Sequence, residues 1–361
     1  MLKPIREYIE NIEDPRRGNA TYHPLETIIG IALLSALAGI DDFVGMQDFA
    51  RAHQDVLGNV LDLSRGVPSH DTFGRVLSGI DTRSFSESFQ LFADDLLDKV
   101  QGVVALDGKT IRRSGASPVH LVSAWAAENK LSLAQVKVGD KSNEIKAIPE
   151  ILRLLSLEET VVTADAMGCQ RDIAAQIVAQ KADYVLAIKG NQKMLFEDIK
   201  AYFADIDLRP KNPMIQWDKG HGRIESRTCY ASDDIGWLQN RHQWPHLKSI
   251  AMIVSTREKK GQNPTTETRF FLSSLPADPK IIASVVRQHW GIENTLHWSL
   301  DVVFNEDKAC VRTKNAPENL ALIRKWALNI LHQKRPQTMS IKRTMRQALM
   351  KPQFLLDLCL F

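Results

Sequence analysis

The chain has 361 residues, 44% hydrophobic and 25% charged, with a formal charge of +3. That length holds two or three domains with proper cores, the composition is that of an ordinary soluble globular protein, and the mildly basic balance permits a nucleic-acid partner without arguing for one. Cys169, Cys229, Cys310 and Cys359 form no Cys-x-x-Cys pair, which speaks against a thiolate zinc site and a dense disulfide framework and fits a reducing cytoplasm.

Residues 1–95 read as a helical domain. Leu25 to Leu37 is an apolar helix and Phe43 to His53 an amphipathic one. The apolar run from Ile28 to Ile40 is too short to span a bilayer. Arg16-Arg17 upstream imitates an export signal, but the polar residues between favour a buried helix. Ser69-His70-Asp71-Thr72-Phe73 starts a further helix, with Ser69 or Asp71 as its cap. It resembles the second helix of a helix-turn-helix and equally a helix that packs in a bundle. DNA binding and dimerisation both stay open for this domain.

From about residue 100 the pattern turns to strands: Val103 to Leu106, His120 to Ala127 and Leu131 to Val138, the last two joined by a turn short enough for a hairpin. Then come a helix (Ile145 to Leu155), a strand (Val161 to Ala164), a helix (Arg171 to Gln180), a strand (Tyr184 to Ile188) and a helix (Met194 to Phe203). This is the element order of ribonuclease H. The expected fold is therefore α/β, a ribonuclease H-like mixed sheet flanked by helices, with residues 100–205 as its first part. Residues 206–275 break the alternation and read as a β-rich insertion, with strands at Ile224 to Tyr230, Ile250 to Thr256 and Thr268 to Leu272. Helices from Pro279 to Val303 and Pro317 to Gln333 complete the core over 276–335. Six basic residues and no acidic one lie between Lys334 and Lys351. Residues 336–361 are thus read as a basic C-terminal tail, either a solvated surface or a phosphate-binding segment.

Three carboxylates stand out. Asp107 and Asp165 each close a short β-branched run, and Glu293 sits in an apolar helical stretch among Trp290, His289, His297 and Trp298. An unpaired buried charge costs several kcal/mol, so Glu293 needs a cation or a strong partner. Alone, Asp107-Gly108 is a common turn pair and Asp165 a helix cap. The fold order, however, puts both on neighbouring strands. Two aspartates and a helix glutamate make a minimal cradle for magnesium, which takes few carboxylates and fills its shell with water and phosphate. Paired cations roughly 3.5–4 Å apart suit in-line phosphodiester displacement. Asp107 would bridge both, with Asp165 on one and Glu293 on the other.

Gly108-Lys109-Thr110 is not a nucleotide-binding loop, because the earlier glycine it requires falls on Val103. His289, Glu293 and His297 share a helical face, yet their spacing is not that of zinc proteases, and the histidines read as DNA-facing or structural. Trp290 and Trp298 can stack on a base or fill the core. Lys109, Arg112 and Arg113, and Lys189 and Asn191, follow strand ends, where open α/β sheets carry ligand contacts.

Leu106-Asp107-Gly108-Lys109, Thr163-Ala164-Asp165-Ala166, Lys189-Gly190-Asn191-Gln192, His221-Gly222-Arg223-Ile224-Glu225 and His289-Trp290-Gly291-Ile292-Glu293-Asn294 together resemble the H-repeat-associated insertion-sequence transposases, which are bacterial DDE transposases. Asp14-Pro15-Arg16-Arg17-Gly18 and Ser69-His70-Asp71-Thr72-Phe73 resemble their N-terminal domain, so the likeness covers nearly the whole chain. It implies catalytic and metal-binding Asp107, Asp165 and Glu293, dependence on Mg²⁺ or Mn²⁺, and double-stranded DNA as partner at element ends and target. It also implies a dimer or larger assembly on DNA. In the wider group the glutamate lies in a Tyr-x-x-Arg-x-x-x-Glu-x-x-x-x-x-x-Lys signature; here Val286, His289 and Leu300 hold the other three positions. Arg287 and His297 are the candidates to replace the missing phosphate contacts. Two rival functions stay open: a nuclease of the same fold without strand transfer, and a non-catalytic DNA-binding remnant of a transposase.

Overall fold

The computed structural model describes residues 4–97, 99–139, 144–220, 222–259 and 261–359. The N-terminal helices are α1 (Ile5–Ile9), α2 (Leu25–Leu37), α3 (Phe43–Ala52), α4 (Gln54–Leu57), α5 (His70–Gly79) and α6 (Thr82–Asp95). Side-chain caps set three of their starts: Asp42 accepts from Gly45 N–H, Ser69 from Thr72 N–H and Asp81 from Ser84 N–H. Of the two expected caps of α5, Ser69 is the one used.

Then follow β1 (Val103–Ile111), β2 (Val119–Ala126), β3 (Leu131–Lys137), α7 (Glu144–Arg153), β4 (Val161–Ala164), α8 (Arg171–Ala179), β5 (Asp183–Ile188) and α9 (Lys193–Ala204). Strands β1, β4 and β5 run parallel, and β2 and β3 add an antiparallel meander. With helices on both faces, the parallel strands are largely buried and read as β-branched runs. This is the ribonuclease H-like sheet.

The chain continues through β6 (Met214–Gly220), β7 (Arg223–Ser232), β8 (Ser249–Lys259) and β9 (Thr265–Ser273). These four strands prolong the same sheet, because β9 pairs antiparallel with β5. Among the described residues the full order is β3-β2-β1-β4-β5-β9-β8-β7-β6. Strand β6 was not among the expected elements.

Helices α7, α8 and α9 cover one face, where Ile148, Ile151, Ile173, Ile177, Ile199 and Phe203 meet Val104, Leu106 and Tyr184. The other face carries α10 (Pro279–His289), a π-helical turn (Ile292–His297), α11 (Trp298–Val302) and α12 (Ala316–Lys334). The expected helix from 279 to 303 is present but widened by the π-helical turn in its middle. Trp326 of α12 is fully buried, with ring centroids 5.0 Å from Phe92, 6.1 Å from Phe89, 6.2 Å from Phe85 and 6.3 Å from Tyr8. The N-terminal helices therefore share one core with a helix of the sheet layer. Residues read as a basic tail form α13 (Ile341–Met350) and α14 (Pro352–Leu358), which bury Met345, Ala348, Leu355 and Leu358 in that same core. Among the described residues no helix is long and apolar enough to cross a membrane.

The aromatic cluster makes a quantitative expectation. Trp326→Ala should cost about 3–5 kcal/mol in urea unfolding. Trp326→Phe should recover most of that, since it keeps a ring and removes an indole N–H that has no partner. A loss below about 1 kcal/mol in Trp326→Ala would contradict a joining role for the cluster.

Candidate active site

Strands β1 and β4 pair in parallel through Leu106↔Ala164, so Asp107 and Asp165 emerge side by side just past the last paired residues. Strand β1 itself runs on to Ile111 against β2, so Asp107 marks where β4 stops and not where β1 ends. Asp165 does cap the short 3-10 turn Ala166–Gly168, accepting from Met167 N–H at 2.9 Å. A cap and a site residue are here one side chain.

Glu293 reaches the same place from the other layer. Asp278 caps α10 and Pro279 opens it; after His289 the backbone widens into the π-helical turn. Its turns of roughly four residues keep Ile292, Leu296 and Leu300, all fully buried, on the core side. The same spacing aligns Glu293, His297 and Asp301 toward β1. The turn packs directly against the sheet at Gly291, where a Cβ would lie at an ordinary contact distance of 3.4 Å from Trp125 Nε1. Asp107, Asp165 and Glu293 then line one cleft of about 150 Å³ with Thr163, Lys189, Arg269, His289 and Trp290.

The electrostatics of the cleft are those of crowded negative charge. The Asp107 carboxyl is pushed up to about 7, first by burial and then by the negative charge of Glu293, with further contributions from Asp165 and Glu144. A hydrogen bond from Gly108 N–H opposes the shift. The two histidines add no compensating cation. Burial takes His289 down to about 4, and its Nδ1 hydrogen-bonds Thr163 Oγ1 at 2.9 Å. Burial, with Lys325 and Lys109 nearby, takes His297 down to about 3. Its Nδ1 lies 3.6 Å from Asp107 Oδ2. Both imidazoles face the acids from the protein side.

The basic residues divide into two groups. The Lys109 ammonium sits 2.7 Å from Asp301, 3.2 Å from Glu306 and 3.3 Å from Asp307. Burial would lower it, but these carboxylates outweigh burial and raise it. It ties the strand of Asp107 to the helix that follows Glu293. Asn191 is likewise engaged, donating its side-chain N–H to Ala166 O. Arg112 is exposed despite a 3.2 Å contact with Asp307, and Arg113 and Lys189 are exposed, Lys189 at the cleft. Arg287 is half exposed on α10, 3.8 Å from Asp218.

Sequence reasoning missed Glu144, which opens α7. Its carboxylate accepts from His120 Nε2 at 2.7 Å, and His120 Nδ1 hydrogen-bonds Thr110 Oγ1 at 2.7 Å. It packs so closely on Gly108 that a Cβ there would lie 2.1 Å from Glu144 Oε1. Arg269 was missed as well; its guanidinium lies over the Trp290 ring, 4.3 Å from the centroid. Trp290 thus faces the cleft and Trp298 is exposed.

Among the described residues no three His, Cys, Asp or Glu side chains are gathered tightly enough to form a ready-made metal cage. The donor set nonetheless fits a hard divalent cation. It consists of carboxylates alone, their mutual repulsion calls for positive charge, and magnesium draws much of its shell from water and phosphate.

The family model of the transposase DDE domain matches residues 98–330, and that of its associated domain matches residues 6–93. The chain is 42% identical over 291 residues to "Uncharacterized protein in dhlA 3'region" of Xanthobacter autotrophicus, covering 77% of this chain and 97% of that one. It is 34% identical to "H repeat-associated putative transposase YhhI" of Escherichia coli (strain K12), covering 98% of this chain and 97% of the other. A solved piggyBac transposase synaptic complex with hairpin DNA is a distant likeness, with 13% identity and a TM-score of 0.46 over 97% of this chain and 76% of that one. The chain belongs to the DDE-domain transposases, alongside the H repeat-associated members of that family.

Proposed function

We propose that the protein is an active DNA transposase that hydrolyses a phosphodiester at the ends of its element and joins the freed 3′ hydroxyl to target DNA. The observation that carries this reading is the convergence of Asp107, Asp165 and Glu293, from two strands and a π-helical turn, into one cleft where they repel. We assign these three as catalytic residues and as holders of Mg²⁺ or Mn²⁺. When bound, the cation neutralises the phosphate and lowers the pKa of the attacking water.

Everything else in the site holds that arrangement. Lys109 fixes Asp301, hence the helical segment carrying Glu293, against β1. Asn191 holds the Ala166 turn behind Asp165. His289 and His297, neutral at pH 7, pack beside the acids without cancelling their charge. Lys189 at the cleft, with Arg112, Arg113 and Arg287 on exposed surface, supplies phosphate contacts. Paired element ends call for a dimer or larger assembly on double-stranded DNA, working in the cytoplasm.

The test is incubation of purified protein with DNA flanking its own gene and Mg²⁺ or Mn²⁺, with nicks and joined products mapped by sequencing. Cleavage at matching inverted ends and joining to a second duplex are expected. Glu293→Gln should reduce cleavage by about a thousandfold, from about 4 kcal/mol of lost stabilisation at 1.36 kcal/mol per decade. Retained cleavage in that variant would remove Glu293 from the reaction.

Proton linkage gives a second expectation. The folded protein holds the Asp107 proton more tightly than the unfolded chain, whose carboxyl titrates near 3.8. This contribution to stability is full below about pH 4 and is lost as pH rises through about 7. In chelator, Asp107→Asn should therefore gain up to a few kcal/mol on wild type between about pH 5 and about pH 8. A difference that does not change with pH would contradict the crowding of charge at Asp107.

A further inference from the structure

Beside the acid cleft, and sharing Arg269, Phe271, Val286 and Trp290 with it, lies a second groove of about 540 Å³ between the β6–β9 part of the sheet and α10. Its floor carries part of the sequence motif His221-Gly222-Arg223-Ile224-Glu225, whose histidine lies outside the described residues. Nothing in the cleavage chemistry uses this motif.

Alternation along β7 puts Arg223, Glu225 and Arg227 on the groove face. Glu225 stands directly opposite Asp218 on β6 and Arg257 on β8. Two carboxylates facing each other across a sheet destabilise it. Here Arg227 bridges them, one guanidinium nitrogen to Asp218 and another to Glu225. The almost fully buried Glu225 also takes Arg223 Nε at 2.7 Å and Arg257 Nε at 2.9 Å. Three arginines thus converge on one carboxylate. Each guanidinium has five N–H donors, the contacts to Glu225 and Asp218 engage one or two nitrogens of each, and all three arginines line the groove. A carboxylate that anchors guanidiniums in a fixed fork leaves them pre-organised for a second anion, and phosphate matches that fork.

We infer that Arg223, Arg227 and Arg257, held by Glu225, form a phosphate-binding platform for the DNA strand that continues past the cleaved bond. The inference rests on reading the neighbouring cleft as a phosphodiester site. The groove opens from that cleft, and Arg269, which lines both, stands at their junction. A purely structural ion-pair cluster would leave DNA affinity unchanged when the half-exposed members are removed.

The test uses the full chain in chelator, so that no cleavage intervenes, and a fluorescein-labelled mixed-sequence duplex of roughly 30 base pairs read by anisotropy from about 50 to 200 mM NaCl. The Arg223→Ala/Arg257→Ala double variant should bind at least about tenfold more weakly at the lower salt. The slope of log affinity against log salt should become shallower by about 0.9 for each phosphate that the variant no longer neutralises. Arg257→Gln, a single change at a half-exposed position, serves if the double variant does not fold, and should make the slope shallower by about 0.9. Affinity and slope equal to wild type in a folded variant would overturn the platform. Because the readout is binding without metal, it is independent of cleavage. A wild type that never cleaves, with arginine variants that bind DNA more weakly, would overturn the catalytic reading and keep the platform.

Discussion

Carboxylates crowded at one end of a buried sheet repel one another, and the surrounding structure exists to hold them there. Burial and the charge of Glu293 drive the Asp107 carboxyl up to about 7. That opposes folding at neutral pH, so other interactions must outweigh it. Two parallel pairings fix Asp107 and Asp165 in register, and parallel strands with both faces covered do not slip without exposing apolar side chains. On the opposing layer Ile292, Leu296 and Leu300 bury completely, and this burial keeps the π-helical turn seated with Glu293 over the acids. The Lys109–Asp301 contact completes the arrangement by joining the two layers one step beyond the cleft. Functional sites often store strain of this kind in widened helical turns.

The N-terminal helices belong to the same mechanical unit. Trp326 meets rings from α1 and α6, so the layer that carries Glu293 packs through α12 on the helices that precede the sheet. Helices α13 and α14 close that core from the C-terminal side. On the far side, β6 to β9 prolong the sheet away from the acids, and their groove face is rich in arginine. Negative charge at the cleft and positive charge along the adjoining groove give the molecule a polarity suited to a polyanion whose backbone must be held near a cation.

What could be read from the sequence follows from how local each signal is. The runs Val103 to Leu106 and Val161 to Ala164 announced themselves as short β-branched strands, and the carboxylates after them followed, although the first strand in fact continues to Ile111. Glu293 stood out as a charge in an apolar segment, but its side chain is exposed rather than buried, and the buried Ile292, Leu296 and Leu300 are what make the segment apolar. The π-helical turn was not legible, since spacings of four serve an α-helix as well. Glu144 was out of reach because its partners Gly108 and His120 come from strands far back in the chain, and only the folded sheet brings them together. Lys109 looked available for phosphate because its partners at 301, 306 and 307 are equally remote. The basic run after Lys334 hid the apolar Met345, Ala348 and Leu355 that make it helical and packed. Strand β6 escaped because its alternation of Ile215 and Trp217 with polar residues sits on a largely exposed edge.

The most direct measurement is anomalous diffraction from crystals of the protein soaked in Mn²⁺. The account predicts a manganese peak in the cleft, touching Asp107 and at least one of Asp165 and Glu293. That peak should be absent from Asp107→Ala crystals grown the same way. A cleft with no manganese at concentrations that support cleavage, or a manganese bound elsewhere while Asp107→Ala still cuts DNA, would contradict it.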